Sequence, residues 1–340
     1  MKINYKRILV NVLLTLIGLE IVLRVFGISA TFNERIGHGY ASYYNQKLPT
    51  WYHTWQANTP VVYNEPEIKY SYPGNSLGLR EREIPMAKTD SIKRLFILGD
   101  SFVEGNGVTY ENSMPSWLQK KLDSAGVAVD VFNAGVSGSD PFYEYTLLRD
   151  KLMPLHPDLV IVCINQTDIQ DYIFRGGMDR FKADGTTVNR KGPWWEPAYH
   201  YSYVFRVFMH RIMQYDKTLT KKSEAATIGR HAETEIQQCL YTMQRLCNAN
   251  HVKLVCAVQP IHSSVKEPDT IEDIETLATT VSPDSIQLID LYPDFKKSLN
   301  NRNWPNYGLK INDHFNPRGY RLFADVLFDD INKQYPGFWR

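Results

Sequence analysis

Four short stretches of the chain carry side chains suited to chemistry. Gly99-Asp100-Ser101 closes an apolar run at 94–98 and is followed by FVEGNGV. A serine at such a strand-to-helix turn presents its hydroxyl at a sheet edge, where free N–H groups of a helix start can stabilise an oxyanion. Taken alone, the same serine also fits a plain helix cap. The second stretch is Asn133-Ala134-Gly135-Val136-Ser137-Gly138. A glycine there lets a backbone N–H approach a reacting group closely, or simply makes a tight turn. In the third, Asn165-Gln166-Thr167-Asp168, small polar groups stand at the mouth of an apolar strand. Asn165 or Thr167 can donate to an oxyanion there, or cap the loop as an Asx turn. The fourth is Asn312-Asp313-His314-Phe315-Asn316-Pro317-Arg318-Gly319-Tyr320, just before the helical pattern RLFADVLFDDI. A lone histidine is commonly structural. In chain order, however, the four stretches supply a serine, a glycine, a polar amide and a histidine. Acyl transfer needs that set: a nucleophile, oxyanion donors and a base.

The elements that must hold these residues follow from the apolar pattern. Runs at 94–98, 129–132, 158–164, 252–258 and 286–289 are rich in Val, Ile and Leu and mostly continuous, as in strands buried on both faces. Between and after them, helical patterns occupy 112–125, 141–154, 231–250, 270–281 and 318–334. In the third of these, Ile236, Leu240, Met243 and Cys247 line one face. The alternation predicts an α/β fold with a parallel sheet covered by helices on both sides. Its site should lie beyond the carboxyl ends of the strands, where all four polar stretches fall. Residues 29–90 read as an aromatic-rich, loop-like extension. A long insertion at about 172–230 is also rich in aromatics and turns helical from about 200. It suits a substrate lid, or an inserted helix packed on the domain.

The amino terminus has a different character. Residues 8–28 are apolar and as a helix would span roughly 31 Å, enough to cross a membrane. Lys2, Lys6 and Arg7 precede the run, and Arg35 is the one basic residue in the fifteen that follow it. This asymmetry places the amino terminus in the cytoplasm and the rest of the chain across the membrane. Glu20 and Arg24 interrupt the span, at a spacing that lets them pair on one helix face. The alternative is a cleaved signal peptide with its apolar core at 8–19, although Ile28-Ser29-Ala30 is a late cleavage site.

Composition narrows the class of function. With 38 Lys+Arg against 37 Asp+Glu the net charge is +1, so nucleic-acid binding through bulk charge is excluded. At 43% hydrophobic residues the 340-residue chain can bury a sizeable core and is not disordered. The four cysteines form no CxxC pair, and no His cluster has zinc spacing. They are expected to be small buried hydrophobes.

Together, GDSFVEGNGV (99–108), NAGVSG (133–138), LVIVCINQTD (159–168) and DHFNPRGY (313–320) resemble the SGNH hydrolases, or GDSL esterase/lipase superfamily. The resemblance covers residues 93–335, and the anchor and NSLGLR at 75–80 are similar to membrane-anchored bacterial members. It implies a three-layer α/β/α, flavodoxin-like fold over 93–335, preceded by the anchor at 1–28 and the extension at 29–92. It also implies a serine esterase that uses no metal or organic cofactor. Ser101 would be the nucleophile and His314 its base, with Asp313 as nominal third member. The N–H groups of Ser101 and Gly138 and a side chain of the third block would hold the oxyanion. Two departures stand out. Thr167 occupies the place where the family usually has Asn directly before Asp, so Asn165, two residues earlier, is the candidate donor. Ile311 stands three residues before the histidine, where the family has its orienting Asp, and Asp313 is adjacent to the histidine, so Asn312 or a backbone carbonyl is the alternative orienting group, in a Ser–His dyad. The expected activity is hydrolysis of a small-molecule or glycan O-acyl ester outside the cytoplasm. An O-acyltransferase, an inactive SGNH-fold binding module and a scaffold held by its anchor are the alternatives.

Overall fold

The computed structural model describes residues 4–28, 47–64, 67–72, 74–89, 91–189, 194–213, 222–261, 286–299, 303–310 and 313–339. The helical pattern at 270–281 lies outside the described residues. The chain divides into two compact units: residues 1–52 with 173–228, and residues 53–172 with 229–340.

The second unit is built on a parallel sheet. Its strands are β4 (Lys93–Gly99), β5 (Val129–Gly135), β6 (Leu159–Ile164), β8 (Lys253–Val258) and β9 (Leu288–Asp290). Their spatial order is β5-β4-β6-β8-β9, and every pair is parallel. Every residue of β6 is buried, as are all those of β4 after Lys93. Continuous runs of this kind are what two covered faces require. Because β4 pairs with both β5 and β6, the chain reverses its winding there, and Ser101 follows β4 at that switch point.

Helices α2 (Ser101–Glu104), α3 (Met114–Ser124), α4 (Pro141–Leu147), α8 (Lys222–Ala249), α9 (Tyr292–Ser298) and α10 (Pro317–Gln334) belong to this α/β architecture. Helix α10 shows how local sequence fixes an element. The Asn316 side chain accepts from the N–H groups of Arg318 and Gly319, and Pro317 takes the first helical position. Tyr320, Phe323, Ala324, Leu327 and Ile331 then fall on one face, packed with Leu118 and Leu122 of α3 in the main core. All four cysteines are buried and free.

Part of the expected loop region is a hairpin. β2 (Val61–Asn64) and β3 (Lys69–Tyr72) pair antiparallel, Val61 opposite Tyr72 and Tyr63 opposite Tyr70. The Arg80 guanidinium lies over the rings of Tyr70 and Tyr72, 4.8 and 4.3 Å from their centroids. It also donates to the backbone oxygens of Glu104, Gly105 and Val108. The segment before the sheet is thereby tied to the turn that follows Ser101.

In the first unit, α1 (Tyr5–Val25) is a 21-residue helix with no buried residue and a mean hydropathy of 2.2 in its most apolar stretch. β1 (Lys47–Pro49) pairs antiparallel with β7 (Thr186–Val188). The second half of the insertion is helical, as α6 (Glu196–Tyr201) and α7 (Tyr203–Phe208).

Candidate active site

Gly99 ends β4 with φ +157°, and a Cβ there would lie 2.4 Å from the Val103 side chain. The backbone can therefore turn into α2 only with glycine. The Asp100 carboxylate accepts from the Phe102 N–H at 2.9 Å and starts the helix. Ser101 is thus held at the carboxyl edge of the sheet, partly exposed.

His314 arrives from the other end of the chain. Its Nε2 lies 2.7 Å from Ser101 Oγ. The ring stacks on Phe102, with centroids 4.8 Å apart. The next residue, Phe315, is fully buried among Phe102, Phe295, Trp304, Tyr320 and Phe323 and anchors the loop. The His314 carbonyl accepts from the Leu309 N–H at 2.9 Å, and Asn316 caps α10 immediately afterwards. Burial lowers the His314 pKa to about 4, against a smaller upward pull from Asp313. The imidazole is therefore neutral at pH 7. With its proton on Nδ1, Nε2 is free to accept the serine proton. Asp313 is exposed, and Asn312 and Ile311 lie outside the described residues.

The loop after β5 is bound to the turn that carries Ser101. The Val136 N–H and the Ser139 hydroxyl both donate to the Gly99 carbonyl at 2.9 Å. The Ser137 N–H donates to Glu104 Oε2. Gly138 has φ +74°, a left-handed conformation that suits glycine.

Asn165, at the end of β6, does two things. Its Oδ1 accepts from the N–H of Thr167 at 2.9 Å and from its hydroxyl at 2.8 Å, which is the Asx turn that opens α5 (Thr167–Arg175). Its Nδ2 donates at 2.9 Å to Oδ2 of Asp100, the residue before Ser101. The Thr167 hydroxyl is 3.4 Å from that same oxygen. Both candidate residues of the third block thus reach Asp100 in the Ser101 turn, Asn165 as the buried one.

Sequence reasoning missed the carboxyls around this site. Glu104 is fully buried and accepts from Trp55 Nε1 at 3.0 Å, Tyr72 OH at 3.1 Å and Tyr63 OH at 3.4 Å, besides Ser137 N–H. Glu81 accepts from the Asn133 N–H at 2.7 Å and from the Tyr110 hydroxyl. On the side of Asn165, Asp100, Glu144 and Asp168 are all buried. Burial pushes the pKa of each upward; the negative charges of Asp100, Asp140 and Asp171 add to the effect at Glu144, and those of Glu144 and Asp100 at Asp168. Among the described residues no group of three or more His, Cys, Asp or Glu is arranged to hold a metal ion. Asp100 stood within the first motif as neighbour of the serine. Glu104 gave no signal beyond its place in that motif, since its donors come from residues 55, 63, 72 and 137.

Residues 97–322 match the model of the GDSL-like lipase/acylhydrolase family. Among solved structures the chain is similar to an acetyl xylan esterase, at 17% identity and a TM-score of 0.44, covering 69% of this chain and 98% of that one. It is similar to TesA at 14% identity and TM-score 0.45, covering 71% and 99%. It is similar also to a lipase/acylhydrolase from Enterococcus faecalis at 15% and 0.44, covering 71% and 96%. No curated protein matches the chain. The family match takes in the serine, glycine, amide and histidine blocks, spans well over half of the 340 residues, and lies on a parallel sheet with the serine at its switch point; the chain belongs to the GDSL-like lipase/acylhydrolase family and is an SGNH-type serine esterase.

Proposed function

We propose that this esterase hydrolyses O-acyl esters, carbohydrate esters among them, outside the cytoplasm, with Ser101 as nucleophile and His314 as general base. The observation that carries the reading is the 2.7 Å contact between His314 Nε2 and Ser101 Oγ. In the reaction, Oγ attacks the ester carbonyl carbon as its proton passes to Nε2. The N–H groups of Ser101 and Gly138, with Asn165 Nδ2, receive the oxyanion. Collapse of the tetrahedral intermediate breaks the ester C–O bond, and the imidazolium protonates the departing alcohol. Water then attacks the acyl-enzyme, its proton going to Nε2, and the acid leaves as Oγ regains a proton. Asp313 keeps a supporting part, through the upward pull of its charge on the imidazole.

The location rests on α1, which is long and apolar enough to span a membrane and is preceded by Lys2, Lys6 and Arg7. We take it as an uncleaved anchor. The test is labelling by a fluorophosphonate probe, together with hydrolysis of p-nitrophenyl acetate and of an O-acetylated sugar. The full-length protein should label at Ser101 and turn over the aryl ester, and Ser101→Ala and His314→Ala should each abolish both signals. Absence of labelling and turnover in the folded wild type would defeat the enzyme mechanism. Aryl-ester turnover without release of acetate from the sugar would defeat the carbohydrate assignment alone.

A further inference from the structure

The two charges inside α1 have partners far away in sequence. Glu20 Oε2 accepts from the Ser202 hydroxyl at 2.9 Å and the Val204 N–H at 3.0 Å, and Oε1 accepts from the Tyr203 N–H at 3.0 Å and Arg24 Nε at 2.7 Å. Ser202 Oγ in turn accepts from the Phe205 N–H at 3.2 Å. The first three N–H groups of α7 are thereby satisfied, two of them by a carboxylate on another helix. Arg24 donates to the Tyr201 carbonyl, and its guanidinium lies 4.7 Å from the centre of the Tyr203 ring. A leader that is cut away would have no need of this set of bonds.

The depth of the contact matters. Glu20 lies five residues before the end of α1, about 7.5 Å along the axis at the helical rise. With α1 across the bilayer and its amino terminus inside, residues 201–204 sit at the outer hydrocarbon boundary. Backbone groups at that depth must find partners within the protein, and here Glu20, Ser202 and Arg24 supply them. The same segment exposes large apolar side chains: Trp194 at 90%, Ile212 at 69%, and also Tyr201, Phe208 and Met213. Such a run is an unfavourable surface in water and fits an interfacial lipid layer. Arg211, exposed on the same stretch, can extend toward phosphate headgroups.

We propose, taking α1 as the anchor inferred above, that residues 194–213 form a second membrane-bound element. It lies in the outer interface against α1, with Trp194, Tyr201, Phe208, Ile212 and Met213 in lipid and Glu20 as the clamp. The insertion is then a lipid-facing foot. The test uses the full-length protein in phosphatidylcholine/phosphatidylglycerol vesicles, carrying an environment-sensitive fluorophore on a cysteine at Leu13→Cys, Ile212→Cys or Met86→Cys. Met86, 67% exposed in the other unit, is the aqueous reference. The four native cysteines are buried.

Labels at 13 and 212 should both emit blue-shifted light, be quenched by nitroxide lipid, and resist aqueous iodide several-fold better than the label at 86. A lipid-shielded label at 13 beside a water-exposed label at 212 would overturn the proposal and leave the anchor standing. A water-exposed label at 13, with release of the protein by alkaline carbonate, would overturn the anchor itself. Glu20→Ala should raise iodide quenching at 212 several-fold while leaving 13 shielded and the elution profile unchanged. No change at 212 in that variant would remove Glu20 from the role of clamp.

Discussion

Glu104 and Glu144 both bind the loop 136–139 beside the Ser101 turn, Glu104 through the Ser137 N–H and Glu144 through the Ser139 hydroxyl at 2.9 Å. Their surroundings differ in kind. Four donors converge on Glu104 from Trp55, the β2–β3 hairpin and the loop itself. Glu144 faces Asp100, Asp140 and Asp171, and among the described residues its Oε2 has no hydrogen-bond partner. At one sheet edge, the same residue type is a cross-link between chain segments in one place and sits among like charges in the other. Neighbouring donors or neighbouring charges decide which. The Ser101 turn therefore has one side fixed by converging hydrogen bonds and another where buried carboxyls crowd together and raise one another's pKa.

The most disruptive way to probe the comparison is to remove the cross-link. Glu104→Ala leaves the Trp55, Tyr63, Tyr72 and Ser137 donors without their acceptor. Tyr72 is buried while Trp55, Tyr63 and Ser137 are half-buried and can partly rehydrate, so at about 1–3 kcal/mol for an orphaned buried donor a loss of about 2–3 kcal/mol in unfolding free energy is expected. Because Ser137 directly precedes Gly138, turnover of p-nitrophenyl acetate should fall as well. Urea unfolding and steady-state kinetics check both. Full activity at unchanged stability would show that the hairpin and loop hold without Glu104.

The third block offers a narrower cut. Asn165→Ala removes the amide that donates to Asp100 Oδ2, and as an oxyanion donor its loss should cost about 10²–10³ in kcat. Thr167→Ala should cost little, because its hydroxyl is engaged with Asn165 Oδ1. The opposite ranking in kcat would transfer the role to Thr167.

These side chains were unequally visible in the sequence. The central strands are legible because burial on both faces demands continuous apolar runs, and Ser101 and His314 because a turn motif and a helix start mark them. The hairpin at 61–72 was hidden because its strands are four residues long: KYSY alternates polar and aromatic, but over a stretch too short to stand out as a period. Glu20 and Arg24 looked like a self-contained pair, while their other partners stand 177 to 184 residues away. Glu104 and Glu144 were silent for the same reason: their donors and charges assemble only in three dimensions, and no local period encodes that.

The titration of His314 sharpens the picture at the site itself. Only the neutral imidazole accepts the serine proton, so kcat/KM should fall on the acid side with the free enzyme's His314 pKa. Burial places that value at about 4 instead of the usual 6.5, so activity should persist through pH 5. Asp313 pulls the value upward, so Asp313→Ala should move the acid limb lower while keeping measurable activity. A limb near 6.5 in the wild type would mean that the ring is hydrated in solution. Loss of activity in Asp313→Ala as complete as in His314→Ala, with the fold intact, would make Asp313 a full triad member.

The smallest effect concerns Glu144. It is 1% exposed, and burial first, then the surrounding carboxylates, hold its pKa well above the ordinary range. The sign follows from linkage. Between the unfolded pKa, near 4.3, and the raised folded value, the native protein binds more protons at this site than the unfolded chain does. This group therefore contributes a stability that falls as pH rises through that window, by at most about 1.4 kcal/mol per pH unit. Glu144→Gln keeps the shape, keeps an oxygen for the Ser139 hydroxyl, and does not titrate. Relative to wild type, the variant should gain stability as pH rises above the unfolded value in urea unfolding, by about 1 kcal/mol or more. Asp168, also buried with its pKa raised by burial and by Glu144, should give a slope of the same sign in Asp168→Asn. A difference between Glu144→Gln and wild type that stays flat over this range would mean that Glu144 is ionised in the native protein, and the contrast with Glu104 would dissolve.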